Sequence, residues 1–341
     1  MRNGTLTIQA AVDLVTRIGM GAAELISNQH QGDPVKYGGF EMGQIEAILN
    51  LFLAEVLPKD REQVLVDIMR TEKRVIVTIE DAIKILVDRN GRCIPIKPEV
   101  SAAVCDANRN YRFDALPTDF LAGSDWSVRW QKLFSQFADL DELQFNERIA
   151  TLRAKVSGDR TVANLLVGPH FPVLLPKIQL GEGSYGAMLE TLILPAVEQG
   201  YIAAFPEQKF INHRKGELAD QVTIVDERHQ NLINDLTQAA IPGILCFPLQ
   251  GFSVHAQRQM AKILPDYMSL AGPVEVGTSE ALYPKQLSRD NMTPIKDCSA
   301  VGWQGYDRSL YFSADGDRLE SSGYTLDYAY AHCSGGMFLR G

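Results

Sequence analysis

FPVLLPKIQLGEGSYGAMLETLILPAVEQGYIAAF runs from Phe171 to Phe205. An apolar stretch, a glycine corner and a helix-like run follow one another, and YIAAF reads as the next short strand. The stretch therefore predicts a strand–helix–strand unit. Inside it GEGSYG, Gly181 to Gly186, fits G-x-G-x-x-G. In a dinucleotide site such glycines let the backbone approach a pyrophosphate, and the following helix supplies amide donors. Glu207 stands where a ribose-binding carboxylate would sit. Three details oppose that reading. Pro172, Pro176 and Lys177 spoil a buried parallel strand. Glu182 would repel a phosphate. Pro195 is expected to kink or end the helix. The corner reads better as a turn with Ser184 as the helix N-cap. Gly181, Gly183 and Ser184 stay as candidate ligand-binding residues.

Working outward, the same alternation continues. VTIVD, Val222 to Asp226, reads as a strand whose Asp226 caps the helix ERHQNLINDLTQ. GILCFPL, Gly243 to Leu249, is strand-like and precedes the helix SVHAQRQMAKIL, although Pro248 argues against a central strand. SLYF, a turn through Asp315-Gly316 and a polar return form a hairpin signal. YTLDYAYAH alternates apolar and polar residues, as a half-buried strand does. Towards the front, helical spacing recurs from Ile8 to Leu25 and from Ile45 to Val56, and again in KDREQVLVDIMR. Trp126, Trp130, Phe134 and Phe137 predict one amphipathic helix over residues 127–138. The expected class is mixed α+β and α/β: a helical N-terminal region, then an alternating strand–helix layer with antiparallel C-terminal strands. The expected division is a mostly helical domain over 1–110, a connecting segment over 111–160, and an α/β domain over 161–341.

Composition narrows the function classes. The chain has 341 residues, 45% of them hydrophobic, 22% charged, and a formal net charge of −9. Acidic balance argues against non-specific nucleic-acid binding, which draws on Lys and Arg. The sequence lacks the roughly 18 unbroken apolar residues of a spanning helix, so no membrane partner is expected. The amphipathic start is no signal peptide by its spacing, and the expected location is cytoplasmic. The five cysteines, Cys93, Cys105, Cys246, Cys298 and Cys333, are odd in number and contain no C-x-x-C. They read as buried thiols rather than a disulfide framework or zinc site, and no metal is expected. The sequence names no cofactor. A homo-oligomer or protein partner is open.

Three groups carry candidate chemistry. In LQGFSVHAQ, Ser253 lies between a strand-like run and a helix, as a nucleophile-elbow serine does, and Ser253, a later Asp (Asp266, Asp290 or Asp297) and His332 follow hydrolase order. His255 occupies the position where that motif needs glycine, so an N-cap role for Ser253 is the plainer reading. Ser253, His255 and His332 are the candidate catalytic residues. Cys246 and Cys333 are candidate thiols, each needing a histidine within hydrogen-bond reach. The basic run KFINHRKGE places Lys209, His213, Arg214 and Lys215 beside Glu217 and Asp220. It is a solvated loop by default, and the place to look for an anionic ligand.

Several segments resemble a family of bacterial and metagenomic hypothetical proteins with no assigned activity: KYGGFEMGQIEAILN, FDALPTDFLAGSDWSV, YGAMLETLILPAVEQGYIAAFPEQKFINHRKGELADQVTIV and LCFPLQGFSVHAQRQMAKILP. The resemblance implies a bacterial protein and assigns no residue a role. The residues themselves favour a non-catalytic ligand-binding or protein-interaction role. The alternative is a small-molecule enzyme: a hydrolase using Ser253 with a histidine, or an enzyme of a phosphate or nucleotide ligand using the 181–186 loop.

Overall fold

A computed structural model describes residues 85–107, 126–134, 141–180, 184–290 and 292–341. By its contacts the chain divides into two compact units, Met1–Asp88 and Arg89–Gly341. The helices expected from Ile8 to Arg70 lie outside the described residues, as do Gly181, Gly183 and Phe137. The second unit carries both sheets.

Its class is mixed α+β, with one large mixed sheet and a small antiparallel one. The strands are β1 His170–Leu175, β2 Lys209–Asn212, β3 Val222–Ile224, β4 Ile241–Gln250, β5 Met268–Leu270, β6 Ile295–Cys298, β7 Val301–Trp303, β8 Arg308–Asp315, β9 Arg318–Thr325 and β10 Cys333–Leu339. The large sheet runs β1-β4-β10-β6-β8-β9-β2, β5 also pairs with β10, and β3 pairs with β7. Most pairs are antiparallel; β10–β6 and β2–β9 are parallel. β1 and β2 therefore stand at opposite ends of the sheet, and β1 runs antiparallel to β4. The stretch from Phe171 onward does not join two neighbouring parallel strands, which a dinucleotide β-α-β unit requires.

Local rules explain much of the path. Ser184, Asp226 and Ser253 each cap a helix, accepting a hydrogen bond from the backbone N–H of Ala187, His229 and Ala256. The hairpin turns between Asp315 and Arg318, which face each other. The Trp126–Phe134 helix buries Trp126, Trp130 and Phe134, and the Trp130 indole donates to Leu174 O at 2.7 Å. The two prolines that weighed against β1 and β4 sit where no ladder bond is lost: Pro172 lies on an edge strand, and Pro248 lies opposite an irregularity in β10 between Gly335 and Met337.

Three expectations fail. YIAAF is no strand: the helix Leu194–Ala204 runs through it, with Gly200 and Tyr201 buried. Pro195 neither ends nor breaks that path, because a π-turn, Leu189–Ile193, precedes it. Bonds of the i→i+5 type leave slack where the proline offers no N–H. YTLDYAYAH is a strand only at Tyr324 and Thr325; Leu326 to His332 form bends and a turn, closed by Cys333 N–H to Tyr330 O at 3.0 Å.

The core is partly ionic. The Pro273–Leu282 helix is buried at every residue and presents Glu280 to Lys296 of β6 at 2.9 Å, both side chains fully buried. Lys296 Nζ also donates to Leu287 O, and the Ser288 hydroxyl donates to Glu280. Breaking one half of such a pair strands the other charge in low dielectric. Lys296→Met is expected to lower the unfolding free energy by about 3–5 kcal/mol in urea titrations. Adding Glu280→Met should restore most of that loss.

Candidate functional site

The segment Leu326–His332 returns the chain from β9 to β10. It carries Tyr328, Tyr330 and His332 at every second position. They stack in a row: Tyr328 on Tyr330 at 5.8 Å between centroids, Tyr330 on His332 at 5.1 Å, both at 24°. Tyr328 is 58% and Tyr330 40% exposed. His255, at the start of the helix Val254–Ala261, anchors the other end of the segment. Its backbone N–H donates to Leu326 O, and its ring lies 3.4 Å from the exposed Asp327 carboxylate. Two histidines singled out in the sequence thus flank one loop.

Ser253 serves elsewhere. Its side chain is buried and its hydroxyl accepts the Ala256 amide. Of the aspartates that followed it in order, Asp266 pairs with Arg228, while Asp297 lies in the core against Gln257 and Tyr324. Cys246 is buried in β4, and burial pushes its thiol up, away from reactivity. None of the five cysteines is in a disulfide.

Beneath the loop lies a polar network absent from the sequence reading. Alternation along β6 turns Lys296 to one face of the sheet and Asp297 to the other. There Asp297 accepts from Gln257 Nε2 at 2.6 Å and from the Tyr324 hydroxyl at 2.5 Å. Tyr324 is also hydrogen bonded to the Cys333 thiol. Gln257 completes the set: its amide also donates to Phe252 O at 2.9 Å and accepts from Ser299. It lies flat over Gly335 of β10, where any Cβ would run into its side chain. Burial pushes the Asp297 carboxyl up to about 6, against the two hydrogen bonds that pull it down. Tyr324, just before the loop, thus links this carboxyl to Cys333, just after it.

A second buried trio joins three helical segments. Glu275 accepts from His229 Nδ1 at 2.8 Å, and the Tyr185 hydroxyl lies 3.3 Å from His229 Nε2. Burial and the neighbouring Glu275 carboxylate hold the Tyr185 phenol protonated.

The basic run is placed apart from the catalytic candidates. Lys209 begins β2 and is exposed, His213 lies 3.4 Å from Glu320, and Arg214 lies 3.6 Å from Glu217. Ser184 meets the same loop: its hydroxyl accepts the Asp220 N–H at 2.9 Å. Gly186 packs so close to the Leu218 carbonyl that a side chain would collide with it. The corner and the basic run, separate in sequence, are neighbours. Lys215 is exposed on that loop. Among the described residues, no group of three His, Cys, Asp or Glu could hold a metal ion.

A carboxyl raised in the folded state holds a proton that the unfolded chain has already lost. Stability from Asp297 is therefore complete below about pH 4 and declines as pH rises to about 6, by about 3 kcal/mol. Asp297→Asn should remove that decline, so denaturant melts of variant and wild type should converge or cross between pH 4 and pH 6. A wild-type difference that stays constant over this range would contradict the assignment.

No protein-family model, curated protein or solved structure matches this chain.

Proposed function

We propose that this is a non-catalytic binding protein whose docking surface is the Leu326–His332 loop. The observation that supports this is the row of stacked rings at Tyr328, Tyr330 and His332, offered to solvent beside the Asp327 carboxylate, itself 79% exposed. Tyrosine supplies large contact area with little rotamer entropy to lose, and it concentrates at interface hot spots. Ring faces beside a carboxylate attract a cation, and the chain carries a net charge of −9. The partner is accordingly a protein segment presenting arginine or lysine. Five cysteines outside any disulfide fit a reducing cytoplasmic setting, and the resemblance to bacterial proteins supports a bacterial source. Among the described residues, no helix is long and apolar enough to cross a membrane.

The test titrates the protein with short arginine-bearing peptides while following the tyrosine ring resonances by NMR. Tyr328 and Tyr330 should shift with the arginine peptide and stay still with a glutamate peptide. Each ring changed to alanine should weaken binding roughly two- to fivefold. Rings that respond to neither peptide would overturn the reading.

The enzyme reading draws on Asp297, a carboxyl titrating near neutrality beside the Cys333 thiol. Its hydrolase form requires the Ser253 hydroxyl to leave the Ala256 amide. A serine-reactive probe is expected to label wild type and Ser253→Ala alike; selective labelling of wild type would restore the hydrolase.

A further inference from the structure

Trp303 ends β7 and is fully buried, yet its indole N–H has no acceptor among the described residues. Two guanidinium groups share its ring: Arg214 at 4.4 Å from the centroid and Arg308 at 5.6 Å. The Arg214 Nε–H is also buried without an acceptor among the described residues. Buried donors are rarely left unmet, and two cations gathered on one ring repel each other unless something negative joins them. The place is rich in donors and cations and short of acceptors.

The backbone that presents Arg214 is fixed. His213 N–H donates to Ser321 O at 3.0 Å and Arg214 N–H to the Asn212 side chain at 2.9 Å. Glu190 Oε1 accepts Gly216 N–H at 2.6 Å, tying the loop to the helix below. Arg308 begins β8 and gives one nitrogen to Gln304 Oε1 at 3.2 Å. Of the nearby acids, Glu217 reaches Arg214 only at 3.6 Å and is half exposed, while Glu320 is engaged by His213 and Arg318. Glu217 is a loose partner that a better acceptor can displace.

We propose that Arg214 and Arg308, stacked on Trp303, form a binding site for an oxyanion of the phosphate type, free or carried on a small organic molecule. Planar guanidinium groups suit this ligand because each can give two parallel N–H bonds to its oxygens. Lys215, exposed on the same loop, adds field without a fixed contact. This site uses none of the residues of the Leu326–His332 loop, so its test is independent of the docking surface.

The test measures thermal unfolding in inorganic phosphate, in adenosine 5′-monophosphate, and in chloride at matched ionic strength, followed by calorimetric titration. A ligand that favours the folded state raises the melting temperature in a saturable way. Wild type should be stabilised by phosphate or by the nucleotide beyond chloride. A response to both assigns the site to the phosphate group itself; a response to the nucleotide alone assigns it to an organic phosphate. Arg308→Gln alters an exposed side chain and should keep the melting temperature in chloride while weakening binding about tenfold or more. Arg214→Gln should act the same way. No stabilisation beyond chloride by either probe, or equal affinity in wild type and Arg308→Gln, would overturn the proposal.

Discussion

The strand Cys333–Leu339 is bonded along both edges, and the sheet is organised around that constraint. β4 takes one side; β6 and β5 share the other. All seven residues are buried, so every polar group they bring must find a partner inside the protein. Ser334 donates to Phe247 O, and Gly335 leaves room for Gln257. Without this strand, the β1–β4 pair and the β6–β8–β9–β2 half would have no shared ladder.

The same constraint makes the candidate site. A strand inserted between two others must be reached from β9 by a connection, and that connection is the aromatic loop. Tyr324, before the loop, bonds to Asp297 of β6 and also meets the Cys333 thiol that follows the loop. The carboxyl lies where water cannot reach it and where two donors can. Desolvation outweighs the two hydrogen bonds, and the group titrates nearer neutrality than an exposed aspartate. On the opposite face Lys296, one residue earlier, meets Glu280. Adjacent residues of one short strand thus serve two separate polar networks, because a strand's side chains alternate.

Caps and turns were legible because their partners are close in sequence. Ser184, Asp226 and Ser253 each bond an amide three residues ahead, and the Asp315–Arg318 turn is local too. The stripe of Trp126, Trp130 and Phe134 was legible as a buried helical face. YIAAF was misleading: the helix already running from Leu194 carries on through it to Ala204 and buries Tyr201, and that context overrides the β preference of Tyr201 and Ile202. YTLDYAYAH misled in another way. Three of its rings do stand in a row, but beyond Thr325 no described strand pairs with it. Arg214 was visible as a candidate for countercharge, whereas its union with Trp303 and Arg308 spans residues far apart in the chain.

The sequence by itself determined the mixed class, the helix starts and the hairpin, because each follows from residues within a turn or two of one another or from composition. Only the tertiary structure decided the strand order, the parallel pairing of β10 with β6, and the burial of Asp297 against Gln257 and Tyr324. Those contacts join positions 27 and 40 residues apart, and no local preference specifies them. They are fixed by which apolar faces can be buried together while the enclosed carboxyl finds its donors.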